Sequence, residues 1–250
     1  MAKRSTTTLV ESPSTTGRPQ NRLLSLLPEA DFQRLVPDLK TISAKVKDVF
    51  HHHGRPLEYV YFLNGGVASI TTLLSNGSMV ETATVGDEGM LGIEAFLGAD
   101  AVSQGETMMQ VPASDGYATV EMLSVAAFRR ELARGGTLRD VTGLYAQVIL
   151  AQMMQSAGCN ALHPVHERCC RWLLQTHDRV HAESFQLSQE FLAIMLGVRR
   201  QTVTVVAGTL QQAGLIDYKH GHIRILDRAG IEAASCECYA SIRKQYDRLY

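Results

Sequence analysis

Between residues 44 and 122 the apolar residues come in short β-branched and aromatic runs, and a turn signal follows nearly every one. Tyr59-Val60-Tyr61-Phe62-Leu63, Val67 to Leu74, Met79 to Val85, Met108 to Val111 and Tyr117 to Met122 suit a pleated, half-buried surface and are too short for long helices. Gly54-Arg55-Pro56, Asn64-Gly65-Gly66, Ser75-Asn76-Gly77, Gly86-Asp87 and Ser114-Asp115-Gly116 punctuate them. Asn76-Gly77 places two residues that tolerate positive φ between alternating runs, as a tight hairpin requires. Such a stretch buries its apolar side chains by closing antiparallel strands into a roll or sandwich.

The pattern then turns helical. Ser124 can cap a short helix that Gly135-Gly136 breaks, and Thr137 opens a run to about Asn160. Leu138, Val141, Tyr145, Val148 and Gln152 lie at spacings of three and four, while Ile149, Met153 and Ala157 make a second stripe. One stripe suffices to dock a helix on its own domain. Two stripes suggest that one meets a second chain, with Leu138, Val141, Tyr145, Val148 and Gln152 as the dimer interface. A helix buried between two domains of one chain would show the same pattern. Pro164 opens a further helix to about Val180, and Ser184-Phe185-Gln186 reads as a loop.

Ser188 to Val198 reads as a capped helix closed by Gly197, and a second helix runs from about Arg199 to Ala213. Its buried side is Val203, Val206 and Leu210, and its polar side presents Arg199, Arg200, Gln201 and Thr204. Two helices about a glycine turn, the second beginning Arg-Arg-Gln, form a helix-turn-helix whose N-terminus can enter a major groove. Arginine bonds guanine edges or phosphate, and glutamine pairs with adenine. Leu215 to Leu226, turning at Lys219-His220-Gly221, makes a small hairpin, a wing whose tip carries Lys219, His220 and His222. An ordinary helical hairpin with a solvated charged face is the plainer alternative for the helix pair.

Taken in order, roll, long helix and winged helix-turn-helix resemble the Crp/Fnr family of bacterial transcription regulators over roughly residues 21–235. The resemblance rests on Gly54-Arg55-Pro56 through Val67, on Leu187-Ser188-Gln189-Glu190 through Thr204, and on Leu210-Gln211-Gln212-Ala213-Gly214-Leu215-Ile216. It implies a homodimer acting on double-stranded DNA with RNA polymerase as partner, Arg200 and Gln201 at base-reading positions, and Ser188 at a phosphate. Val205 stands where the best-known cyclic-AMP-responsive member has a third base-reading arginine, which implies a different target sequence. The expected fold is α+β: a disordered tail at 1–20, an antiparallel β-roll (a jelly-roll-like double-stranded β-helix) at 21–135, a dimerisation helix at 136–162, a winged helix-turn-helix at 163–235 and a helical tail at 236–250.

The same family's cyclic-nucleotide cassette pairs a glutamate with the ribose and an arginine with the cyclic phosphate. Here Gly92 is followed by Ile93, and no Arg or Lys occurs between Gly98 and Val111. A buried phosphate without a cation is strongly disfavoured. Gly86, Glu88, Gly89, Met90, Gly92 and Glu94 are therefore candidates for an effector pocket of unknown ligand, not for cyclic AMP chemistry. An iron–sulfur sensor needs N-terminal cysteines, and the first cysteine is Cys159. Haem would need an axial ligand in the roll; His51-His52-His53 reads as a solvated strand edge instead. His163, His166, Cys169 and Cys170 on one helix, with Cys236-Glu237-Cys238 further on, could sense metal or oxidation, but adjacent cysteines are poor ligand pairs and read as core. The expectation is no cofactor and no metal.

The chain is 250 residues long, 45% hydrophobic and 20% charged, with a net charge of −1. Residues 163–250 carry 11 Lys+Arg against 9 Asp+Glu, which permits DNA binding without demanding it. There is no membrane-length apolar stretch and no apolar segment after Lys3-Arg4, so a cytoplasmic protein without a membrane partner is expected. A phosphate loop, a nucleophile elbow and a paired-carboxylate motif are all missing, which argues against an enzyme. The rival is a ligand-binding module that regulates another protein through its C-terminal helices.

Overall fold

The structure, a computed structural model, describes residues 18–98, 100–113 and 116–250 and the backbone of Val10–Glu11. Val10–Glu11 forms β1, antiparallel to Lys40–Lys45 (β2), with Val10 opposite Ser43. Part of the expected disordered tail is therefore a strand, and the rest of residues 1–17 lies outside the described residues. Between them come two short helices, Arg22–Ser25 (α1) and Glu29–Leu35 (α2), whose Leu23, Leu24, Phe32 and Leu35 are buried as their spacing predicts.

The roll continues with Val49–His51 (β3), Tyr59–Leu63 (β4), Val67–Leu73 (β5), Met79–Val85 (β6), Met90–Leu91 (β7), the one-turn helix Glu94–Leu97 (α3), Glu106–Val111 (β8) and Tyr117–Ser124 (β9). Two antiparallel sheets result, ordered β1-β2-β9-β4-β7 and β3-β8-β5-β6. Their inward residues, among them Ile42, Val60, Val120, Ala83 and Met109, share one core. Register shifts at Ile70/Thr71 in the β5–β6 pair and at Val67/Ala68 in the β5–β8 pair bend these strands, which a closed roll requires. The β5–β6 connection is the Asn76-Gly77 turn, with Gly77 at φ +83°.

Ser124 caps Val125–Leu132 (α4) by accepting from the Ala127 amide, and Gly135 and Gly136 take positive φ before Thr137–Leu162 (α5). Contrary to expectation, the proposed dimer residues Leu138, Val141, Tyr145, Val148 and Gln152 are all buried within their own chain. They pack on the roll and on the C-terminal helix: the Tyr145 hydroxyl donates to the Met90 carbonyl (2.9 Å), and Gln152 donates to Thr84 and accepts from Tyr246. The polar tips of Tyr145 and Gln152 need partners that only this side offers, so this stripe turns home. The outward side of α5 instead carries Leu144, Leu150 and Met154, 49%, 58% and 69% exposed.

Val165–Val180 (α6) follows Pro164. Ser184–Gln186, expected as a loop, is a strand (β10) pairing with the wing. Next come Gln189–Leu196 (α7), Arg200–Gln212 (α8), Ile216–Lys219 (β11), His222–Ile225 (β12), Arg228–Ala234 (α9) and Cys238–Tyr246 (α10). The 236–250 segment is not loose, since Cys238, Tyr239, Ile242, Tyr246 and Leu249 are buried.

The C-terminal unit is docked on the roll. Trp172 of α6 is fully buried and its indole N–H donates to Glu81 of β6 (2.9 Å), which also accepts from the Ser69 hydroxyl. Burial pushes the Glu81 carboxyl up to about 7, against these hydrogen bonds. Arg179 reaches Glu88 at 2.8 Å with both side chains buried. Among the described residues no single helix is long and apolar enough to cross a membrane.

Candidate nucleic-acid interface and the 86–94 turn

The two helices of the reader are set by local chemistry. Ser188 takes extended backbone and its hydroxyl oxygen accepts from the Phe191 amide (3.1 Å), capping α7. Gly197 closes α7 at φ +63°, and α8 leaves at 104° to α7. A side chain at Gly197 would be strained in that conformation. Val203, Val206 and Leu210 are buried against the α6–α7 core as their spacing predicts. Arg199, Arg200, Gln201, Thr204 and Val205 are all exposed on the opposite side.

Arg199 is the α8 N-cap residue, so it stands at the helix mouth beside the unsatisfied amides of the first turn. Gln201 and Val205, four apart, share one line, and Arg200 and Thr204 share the next. The Thr204 hydroxyl is committed to Gln189 Oε1 (2.9 Å), tying the two helices rather than reaching outward. Val205 is 69% exposed, an apolar contact on an otherwise polar surface. In the wing, His220 and Gly221 take φ +51° and +79°, the two-residue turn that matches strand twist. Lys219, His220 and His222 are exposed at its tip, with Lys219 paired to Asp217 at 3.1 Å.

The 86–94 turn is placed quite differently. Gly86, Glu88, Gly89, Met90 and Gly92 are buried, and Glu94 is half-buried. A Cβ at Gly89 would meet the Tyr145 hydroxyl at 2.6 Å, and one at Gly86 would meet the Arg179 side chain at 2.7 Å. These glycines admit neighbouring side chains of the same chain, and Glu88 is occupied by Arg179. Arg129 holds α3 by donating to the carbonyls of Ala95 and Gly98. Sequence reasoning missed the cleft of about 260 Å³ on the far side of this turn, between α6 and α10, which Glu88 lines with Arg22, Asp87, Arg179, Arg243 and Tyr246. Its walls come from four separate segments, at Arg22, Asp87–Glu88, 175–181 and 239–247, so spacing carries no trace of it.

Of the histidines in the roll, His51 is not solvated. It is buried, its Nε2 bonds the Tyr59 carbonyl (2.9 Å), and burial lowers its pKa. His163, His166, Cys169 and Cys170 do not gather at one point, in line with the reading of the adjacent cysteines as core. Cys169 and Cys170 are buried in the reader core, where burial pushes both thiols up, and His166 is exposed. The structure instead brings Cys159 and His163 to Cys236 and Cys238.

Comparison with known proteins places these elements. Residues 167–234 match the model of the Crp-like helix-turn-helix domain. Comparison with curated proteins finds no match. Among solved structures, the c-di-GMP responsive global regulator CLP of Xanthomonas campestris is similar with a TM-score of 0.63 and 15% identity, covering 80% of this chain and 100% of that one. FixK2 from Bradyrhizobium japonicum gives 0.61 and 17%, covering 79% and 98%. A transcriptional regulator of the CRP/FNR family from Thermus thermophilus gives 0.59 and 22%, covering 78% and 97%. Residues 167–234 thus form a Crp-like helix-turn-helix domain, and the chain as a whole shares the fold of solved regulators of the Crp/Fnr type.

Proposed function

We propose that the chain is a cytoplasmic, homodimeric regulator that reads an inverted repeat in double-stranded DNA and answers to an effector other than cyclic AMP. The observation that carries this reading is the surface of α8: Arg199, Arg200, Gln201 and Val205 stand exposed in its first turns while Val203, Val206 and Leu210 anchor it. Arg200 and Gln201 contact base edges, and Val205 suits a thymine methyl. Arg199 and the Ser188 end of α7 meet phosphate, and the wing residues Lys219, His220 and His222 lie along the adjoining backbone. Two copies joined along Leu144, Leu150 and Met154 would set the two α8 helices about one DNA turn apart, roughly 34 Å. RNA polymerase is the partner that regulators of this kind act upon. The packed 86–94 turn and the missing arginine between Gly98 and Val111 support a regulator without the cyclic AMP chemistry.

Selection of bound sequences from random duplex DNA tests the reading. An inverted repeat is expected, with affinity falling steeply as salt rises. Failure to enrich any sequence, with or without small-molecule effectors, would instead favour a module that acts through protein contacts. The double change Leu150→Asp, Met154→Asp is expected to give a folded monomer by sedimentation that no longer holds the full repeat.

A further inference from the structure

Cys159 and His163 are four residues apart, so the last turn of α5 presents both on one face. Facing them is the short connection from α9 to α10, where Cys236 follows the helix end and Cys238 opens the next helix. Cys159 Sγ and Cys236 Sγ are 3.5 Å apart, as are Cys238 Sγ and His163 Nδ1. All four ligand atoms lie within 4.8 Å of one another. Tetrahedral zinc, with Zn–S of about 2.3 Å and Zn–N of about 2.0 Å, demands S···S edges of about 3.8 Å and S···N edges of about 3.5 Å. We propose that Cys159, His163, Cys236 and Cys238 form a closed, four-ligand site for a thiophilic divalent cation, zinc foremost.

Three independent features support the site. The cysteines are 1%, 4% and 0% exposed and make a cluster of their own, apart from both large apolar cores. Three thiols gathered away from other apolar side chains gain little as packing, and all five cysteines of the chain are free. Second, the surroundings already orient the ligands. Glu237 Oε1 lies 3.3 Å from His163 Nε2, which leaves Nδ1 for a cation, and Gln155 donates to Cys238 Sγ at 3.0 Å. A carboxylate behind a histidine is the usual outer shell of a zinc ligand. Third, three thiolates and one divalent cation leave a charge of −1, and two buried cations, Arg168 and Arg171, stand beside the cluster.

The site sits at a mechanical joint. His163 ends α5 and Pro164 begins α6, so this corner joins the roll and its long helix to the reader. Cys236 and Cys238 come from beyond the wing, and α10 packs back on α5 and α6. A bound cation therefore clamps the joint with two strands of chain that are 73 or more residues apart. With no open coordination position, its role is to hold structure and not to catalyse.

The test uses the full chain, purified reduced from zinc-supplemented cells. Elemental analysis is expected to give one zinc per chain, and the chelated chain reloaded with Co²⁺ should show thiolate-to-cobalt charge-transfer bands with the intense visible bands of tetrahedral geometry. Cys238→Ser should abolish both signals, while Cys169→Ser should keep them. Glu237→Gln, outside the ligand set and on the surface, should weaken cation affinity about 10- to 100-fold without unfolding the chain. As a measure independent of variants, zinc should protect three of the five cysteines from alkylation in the native chain. A reduced chain that retains no zinc and gives no cobalt bands overturns the proposal. So does a Cys159–Cys236 disulfide in a metal-free chain that neither zinc nor cobalt displaces after reduction.

Discussion

The 86–94 turn and the start of α8 both carry polar and glycine residues that suit a binding site, yet the fold uses them in opposite ways. In the turn most such groups are engaged internally: Glu88 Oε1 by Arg179, Gly89 by the Tyr145 ring, and the Met90 carbonyl by the Tyr145 hydroxyl. On α8 the Thr204 hydroxyl is bound to Gln189, whereas Arg199, Arg200 and Gln201 are exposed. A segment can bind a partner only with polar groups that folding has not already satisfied. The contrast also locates the junction between the roll and the C-terminal unit, because Tyr145 and Arg179, which engage the turn, come from α5 and α6.

The largest effect should separate the two regions outright. Arg179→Ala leaves Glu88 charged and unpaired in a buried place, and is expected to cost about 3–5 kcal/mol in urea unfolding. If the turn were instead an open ligand pocket, the variant would lose little stability. Glu81, at the same junction, gives a pH signature. The folded chain holds its proton to about pH 7, whereas the unfolded chain releases it near 4.5. The folded state thus binds more protons between those values, so this contribution, about 3 kcal/mol, is complete below about pH 4.5 and is lost as pH rises through about 7. Unfolding of Glu81→Gln followed from pH 5 to 8 should show a flatter profile than the native chain.

A smaller change probes the packing of the turn. Gly89→Ala drives a methyl against the Tyr145 hydroxyl and should cost about 1–3 kcal/mol. Removing that hydroxyl with Tyr145→Phe should recover part of the loss, so the double variant would be less damaged than the two effects added. On α8 stability should barely move. Gln201→Ala is expected to cost about 1–3 kcal/mol at one base pair in each half-site, read by binding to single-base operator variants. Arg199→Ala should weaken all duplexes evenly and reduce the salt slope by about one per subunit, leaving the preferred sequence unchanged.

The buried line Val203, Val206 and Leu210, the Ser188 cap and the Gly197 turn were legible because each is a relation among neighbours within one or two turns. The direction of α5 was not. Ile149 and Met153 of its second apolar stripe turn inward beside the first, where Met90, Thr84 and Tyr246 supply the hydrogen bonds of Tyr145 and Gln152, and the outward side is left to Leu144, Leu150 and Met154. β10 was missed for a similar reason, since three residues become a strand only when Phe185 finds Ile223 across the sheet.

The sequence by itself determined the order of elements, the closed antiparallel roll and the polar N-terminus of the reader helix, because periodicity, caps and turn residues act over a few ångströms of chain. Only the tertiary structure decided that the 86–94 turn is packed shut, that α5 offers Leu144, Leu150 and Met154 outward, and that Cys159 and His163 meet Cys236 and Cys238. Each of these depends on which distant segment arrives opposite, and local spacing has no means of encoding a partner that lies 50 or more residues away.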